Sequence, residues 1–239
     1  MKKRTLLVSV ALTVGMALLV AGLFGQPLYS AVDAAVDRLF PGQHAGADSL
    51  YTYTVETKRS GEVYVLVNVN FRDAATRERY LQANRAKAEA LIANVNSAPI
   101  SVTVTFAKPV PIPEFEALIK EAGFQVEQYS LEARDQQGGR VSYGAVAKYS
   151  SDGKVVDMEQ LKAGLDKVNG SINGATTLVG SVLATKEGLG LLLSDPRVYI
   201  ADVVAAELVE PVSRDTGASR TKIHVGVFSP YSFLSEGVR

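Results

Sequence analysis

Residues 100–106, ISVTVTF, alternate Ile100, Val102, Val104 and Phe106 with Ser101, Thr103 and Thr105. A period of two with β-branched residues throughout is the pattern of a half-buried strand. The residues just beyond it set the fold class. Pro109, Pro111 and Pro113 hold the backbone extended, and Pro113 is acceptable as a first helical residue before residues 114–122. Gly123 is placed to end that helix, and residues 125–134, QVEQYSLEAR, read as a second strand. The unit is β-α-β.

A second unit of the same order lies further on. Residues 176–183 read as strand, Thr185 as the cap of a helix over 186–193, and residues 197–204 as strand after Asp195-Pro196. Together the two units predict β-α-β-β-α-β, the ferredoxin-like order. Residues 140–174 are then an insertion carrying an extra strand (140–149) and a helix near 157–168, with 169–174 (NGSING) a flexible loop. The alternative is that the 140–149 strand is itself the third core strand. On the N-terminal side, YTYTVET (51–57) and VYVLVNVNF (63–71) predict a hairpin, with Val63, Val65, Val67, Val69 and Phe71 on the core face. Asp73 is placed to cap a long helix with an apolar stripe through Tyr80, Leu81, Ala88, Leu91, Ile92 and Val95. Its other face holds Arg72, Arg77, Arg79, Arg85 and Lys87, the most basic patch in the chain and a candidate surface for an anionic partner. Interspersed Asp73, Glu78 and Glu89 favour a solvated, mixed-charge face instead.

The N-terminus fixes the expected location. Residues 5–25, TLLVSVALTVGMALLVAGLFG, hold no charge and come directly after Lys2, Lys3 and Arg4. As a helix the run is about 30 Å long, the thickness of a bilayer core. It exceeds the apolar region of a cleaved secretory signal, which favours an uncleaved signal-anchor over secretion after cleavage. The expected span includes Leu6, Val10, Leu18, Leu19 and Leu23, and the basic cluster puts residues 1–4 in the cytoplasm. The domain scheme is a cytoplasmic tail (1–4), a transmembrane helix (5–25) and a juxtamembrane stalk and linker (26–49). An extracytoplasmic α+β domain (50–210) comes next, then a loop, possible edge strand and tail (211–239).

At residues 191–203, LLLSDPRVYIADV, Leu192, Leu193, Asp195, Pro196, Val198 and Ile200 form a pattern that resembles the closing helix and strand of the propeptide-like inhibitor family associated with subtilisin-type proteases. The resemblance covers the last third of the domain. It implies a small β-α-β-β-α-β fold and a bias toward binding proteins or peptides. No protease domain comes after residue 204 and residues 140–174 are an added segment, so inhibition is not carried over.

Composition removes several chemistries. With 25 basic and 25 acidic residues the chain has no charge bias toward nucleic acid. The lack of cysteine excludes disulfides, thiol catalysis and thiolate metal sites. The two histidines, His44 and His224, lie far apart, and no Gly-x-Ser-x-Gly elbow, Walker loop or dinucleotide fingerprint occurs. No catalytic residue, metal ligand or cofactor is expected. The resulting expectation is a non-catalytic, membrane-anchored, extracytoplasmic module that binds a protein or peptide in an assembly, sensory or regulatory role. A small-molecule sensor domain is the alternative, and an envelope hydrolase the third.

Overall fold

The computed structural model describes residues 43–45, 50–69, 71, 73–94, 98–149, 154–166 and 170–227. The chain divides into two compact units, Met1–His44 and Ala45–Arg239. A short strand, Gln43–Ala45, spans that boundary.

Two sheets organise the second unit. In the smaller one, β1 (Tyr51–Thr57) and β2 (Val63–Val69) form an antiparallel hairpin with Tyr51 opposite Val69 and Thr57 opposite Val63. The connecting turn closes at Gly61, whose φ of 79° suits glycine. The last strand, β8 (Ile223–Val227), runs parallel to β2, placing Val63 beside Ile223 and Val67 beside Val227. Strict alternation in β2 buries Val63, Val65, Val67 and Val69 and exposes Tyr64 and Leu66.

The larger sheet comprises β3 (Pro99–Val110), β4 (Gln125–Arg134), β5 (Arg140–Val146), β6 (Ser171–Leu183) and β7 (Val198–Asp202). Their order is β5-β4-β6-β3-β7, and every pairing is antiparallel. β6 rather than β5 therefore sits between β4 and β3, and burial explains why. Residues 174–178 of β6 are all buried, as in a strand covered on both faces, whereas β5 alternates exposed and half-buried residues as an edge strand does.

The helical segments among the described residues are α1 (Ala74–Ala93), α2 (Ile112–Glu121), α3 (Met158–Asp166), a π-turn at Lys186–Gly190 running into α4 (Leu191–Ser194), α5 (Val204–Thr216) and a single 3-10 turn at Arg220–Lys222. Asp73 caps α1 by accepting from the Thr76 N–H at 2.8 Å, and Thr185 caps the π-turn by accepting from the Gly188 N–H at 3.1 Å. One core lies on the helix side of the large sheet, where Val102, Val104, Phe106, Leu131 and Leu178 meet Phe115, Leu118, Leu189 and Leu192. The second joins the valines of β2 to Phe71, Tyr80, Leu208, Val212 and Ile200. β7 serves both, with Ile200 in the second core and Ala201 in the first.

Several expectations are corrected. The expected fold class, a ferredoxin-like domain behind a transmembrane helix, gives way to a mixed α+β fold of two sheets: the hairpin and the C-terminal strand build a sheet and core of their own. Among the described residues no helix is long and apolar enough to cross a membrane. The longest, α1, has 20 residues and carries Arg77, Glu78, Arg79, Arg85, Lys87 and Glu89. The expected span, with Leu6, Val10, Leu18, Leu19 and Leu23, lies outside the described residues. With no membrane-spanning helix among the described residues, the signal-anchor, the single-pass membrane location, the membrane as partner and the extracytoplasmic protein-binding, sensor and hydrolase roles attached to it are not retained.

Residues 169–174, expected as a flexible loop, belong in part to β6. Gly174 there has φ 144°, and a Cβ on it would lie 2.3 Å from the Val110 carbonyl oxygen. Gly174→Ala is expected to cost about 1–3 kcal/mol through this collision with backbone, read as a lowered urea midpoint at unchanged slope.

Candidate functional site

Among the described residues, a carboxylate strongly affected by its surroundings is Asp202, the last residue of β7, which is 2% exposed. Both of its oxygens are engaged. The Tyr80 hydroxyl donates to Oδ2 at 2.6 Å, and the Val204 N–H at the start of α5 donates to Oδ1 at 2.9 Å. Beside it Asn84 bridges the same strand, donating through Nδ2 to the Ala201 carbonyl at 2.8 Å and accepting from the Val203 N–H at 2.9 Å. One turn along α1, Lys87 pairs with Glu207 of α5 and lies 5.8 Å from the centre of the Tyr51 ring. Spacing puts Tyr80, Asn84 and Lys87 on one side of α1, at i, i+4 and i+7.

Burial pushes the Asp202 carboxyl up to about 6, against the lowering effect of its hydrogen bonds with Tyr80 and Val204 and of the Lys87 charge. Burial and the adjacent Asp202 charge raise the Tyr80 phenol. The cavity alongside, lined by Leu50, Tyr51, Tyr80, Asn84, Lys87 and Val204, measures about 10 Å³. That is room for about one water. The cluster holds α1, β7 and α5 together; it has no space for a substrate.

Thr103 of β3 is next to this region in the sheet, opposite Asp202 in register. Its hydroxyl is buried without a hydrogen-bond partner. Thr103→Val keeps the shape and removes the unpaired group, so a gain of up to about 1 kcal/mol is expected in equilibrium denaturation.

The larger hollows are open to solvent. A groove of about 530 Å³ runs between α2 and residues 154–155, floored by Ile119, Phe124 and Val155 with Lys120 and Tyr149 at its sides. Another of about 370 Å³ lies between α1 and β7, and one of about 270 Å³ lies over β4, β5 and β6. Among the described residues no group of three or more His, Asp or Glu side chains is placed to hold a metal ion.

The basic residues expected to form a surface are on α1, but not as an uncompensated patch. Arg85 pairs with Glu89 at 3.1 Å, and Asp73, held below the usual carboxylate range chiefly by its hydrogen bonds with Thr76, also interacts with Arg79. Arg77 lies on the same helix, half-buried, and Arg72 lies outside the described residues. Sequence reading missed the Asp202 cluster. The available signal was Asp202 before a helical pattern, obscured because Val203 and Val204 read as the end of a strand.

No family model, no curated protein and no solved structure matches the chain. The resemblance of residues 191–203 to the protease-propeptide family is therefore withdrawn. The leucine-rich part of that segment is the four-residue α4, followed by a turn and β7.

Proposed function

We propose that this domain acts without catalysis, as a structural building block. The observation that carries this reading is the use made of Asp202. A buried carboxylate pushed toward neutral pH commonly marks an active site, yet here each oxygen is taken by a group that fastens one element to another. The remaining charged clusters do similar work. Asp195 receives Nε and Nη2 of Arg197 at 3.0 and 2.7 Å, closing the turn between α4 and β7, and Glu114 of α2 joins through Arg197 Nη1 at 3.3 Å. Glu132, 4% exposed, receives Arg140 Nε at 2.8 Å and Asn173 Nδ2 at 2.7 Å, tying β4 to its two neighbours.

The test is turnover of chromogenic ester, peptide, phosphoester and glycoside substrates by the purified full chain across the pH range around neutrality. The reading expects none above the buffer rate. Turnover that is lost in Asp202→Asn, with the fold intact by circular dichroism, would sink it.

A further inference from the structure

We propose that the free edge of β5 pairs with β5 of a second copy of this chain, joining two large sheets across a two-fold axis. The inference rests on the structural role proposed above and names the partner.

Two hydrogen bonds fix which peptide groups of β5 are available. At the hairpin end the Asp135 N–H donates to the Gly139 carbonyl at 2.9 Å, and at the other end the Ala147 N–H donates to the Glu127 carbonyl at 2.8 Å. Both lie on the β4–β5 register, in which Ala133 faces Val141, Leu131 faces Tyr143 and Tyr129 faces Ala145. Hydrogen-bonded pairs alternate along an antiparallel ladder, so these odd-numbered residues of β5 bond inward to β4. The peptide groups of Ser142, Gly144 and Val146 consequently point away from the sheet. Among the described residues no strand lies beyond β5.

The usual guards of an edge strand are missing from it. Natural edges are protected by proline, inward or lateral charge, bulges or shortness. β5 spans seven residues, RVSYGAV, with no proline or lysine and no irregularity in its register with β4. Its one charged residue, Arg140, is drawn over its own sheet by the ion pair with Glu132. Val146 is 68% exposed. Gly144 has nothing within 4 Å of where a Cβ would stand.

The edge is also complementary to itself. A two-fold axis at Tyr143 brings Ser142 opposite Gly144 and Arg140 opposite Val146 of the other copy, so outward peptide groups meet outward peptide groups. The two Arg140 side chains then sit at opposite ends of the junction, roughly 20 Å apart for six residues of strand, and do not repel. The same patch on both copies makes the contact isologous, so assembly stops at the dimer.

Sedimentation of the full chain is expected to show a concentration-dependent dimer. Gly144→Pro removes one outward N–H while sparing the bonds to β4, and should weaken self-association more than about tenfold with the fold intact by circular dichroism. Val146→Lys, which sets a lysine against Arg140 of the other copy, should do the same without touching the backbone. The chain has no native cysteine, so Ser142→Cys combined with Gly144→Cys offers a direct check of register. Paired Cα atoms would be about 5.5 Å apart, within disulfide range, and mild oxidation should give a covalent dimer that Lys148→Cys does not. A chain that stays monomeric, a dimer indifferent to both edge variants, or open-ended polymers would overturn the proposal. None of these results bears on turnover, which alone decides the non-catalytic reading.

Discussion

Phe115→Ala is expected to cost about 3–5 kcal/mol, enough to leave the domain largely unfolded in mild denaturant. Phe115 is fully buried on α2, its ring 6.2 Å from that of Phe106 on β3 at 85° and 6.2 Å from that of Tyr129 on β4. Truncation removes the ring from between the helix and two strands of the sheet. Neither strand can close the gap, because β3 and β4 are both fixed by ladders to β6. The cost is read from urea midpoints at constant slope. Phe115→Leu, which refills most of the volume, should recover more than half of it. Equal loss in both variants would mean that edge-to-face ring contacts, and not occupied volume, hold this core.

Asp202→Asn carries the second large effect, and its sign depends on pH. The carboxyl is raised from 3.8 in the unfolded chain to about 6 in the fold. Below the unfolded value both states are protonated and the group is neutral to stability. Between the two values the unfolded chain releases its proton and the folded one keeps it, so stability falls as pH rises; above about 6 it levels off, lower by about 3 kcal/mol. An asparagine at this position is free of the charge-burial cost. Its side-chain carbonyl still accepts from the Val204 N–H, and its amide donates to the Tyr80 oxygen. The variant should match the native chain near pH 4 and exceed it by up to about 3 kcal/mol at neutral pH. Asp195, whose pKa is lowered chiefly by the hydrogen bond from Arg197, loses stability as pH falls. That trend is common to both proteins and cancels in their difference. A difference that does not change with pH would mean that the Asp202 carboxyl titrates alike in the folded and the unfolded chain.

The fold was legible in the sequence wherever period and burial agree. β2 has valine on one parity and is a strand with that parity buried, whereas β3, expected to be half-buried, buries Thr103 and Thr105 along with Val102, Val104 and Phe106 because it lies inside the large sheet. α2 begins just after Pro111, ends before Gly123 with φ 63°, and buries Phe115, Leu118 and Ile119. Composition failed where tertiary packing overrides it. The asparagine and glycine of residues 173–174 imitate a loop, yet they extend a central strand because only glycine fits against Val110. α5 is hidden by Pro211 within it and by β-branched Val203 and Val204 at its start, which give its sequence the look of strand and loop. The Asp202 cluster depends on residues more than a hundred positions apart, as Tyr80 and Asp202 are, so no local pattern could announce it. The β5 edge was legible as a strand but not as an edge, since strand order is a property of the whole sheet.

The parallel pairing of β8 with β2 has a consequence for how the protein is made. Val63 waits for Ile223, and Val67 for Val227, so the small sheet is incomplete until residues 223–227, some 160 positions further along, have left the ribosome. During synthesis the hairpin offers an unpaired edge along Val63, Val65 and Val67, with their side chains lacking the Leu208 and Val212 cover supplied by α5. Contacts of such sequence separation slow folding and lengthen the exposure of sticky intermediates. A premature stop before residue 223 therefore leaves a nascent chain with its larger sheet assembled and its smaller one open, a species suited to capture by chaperones and proteases.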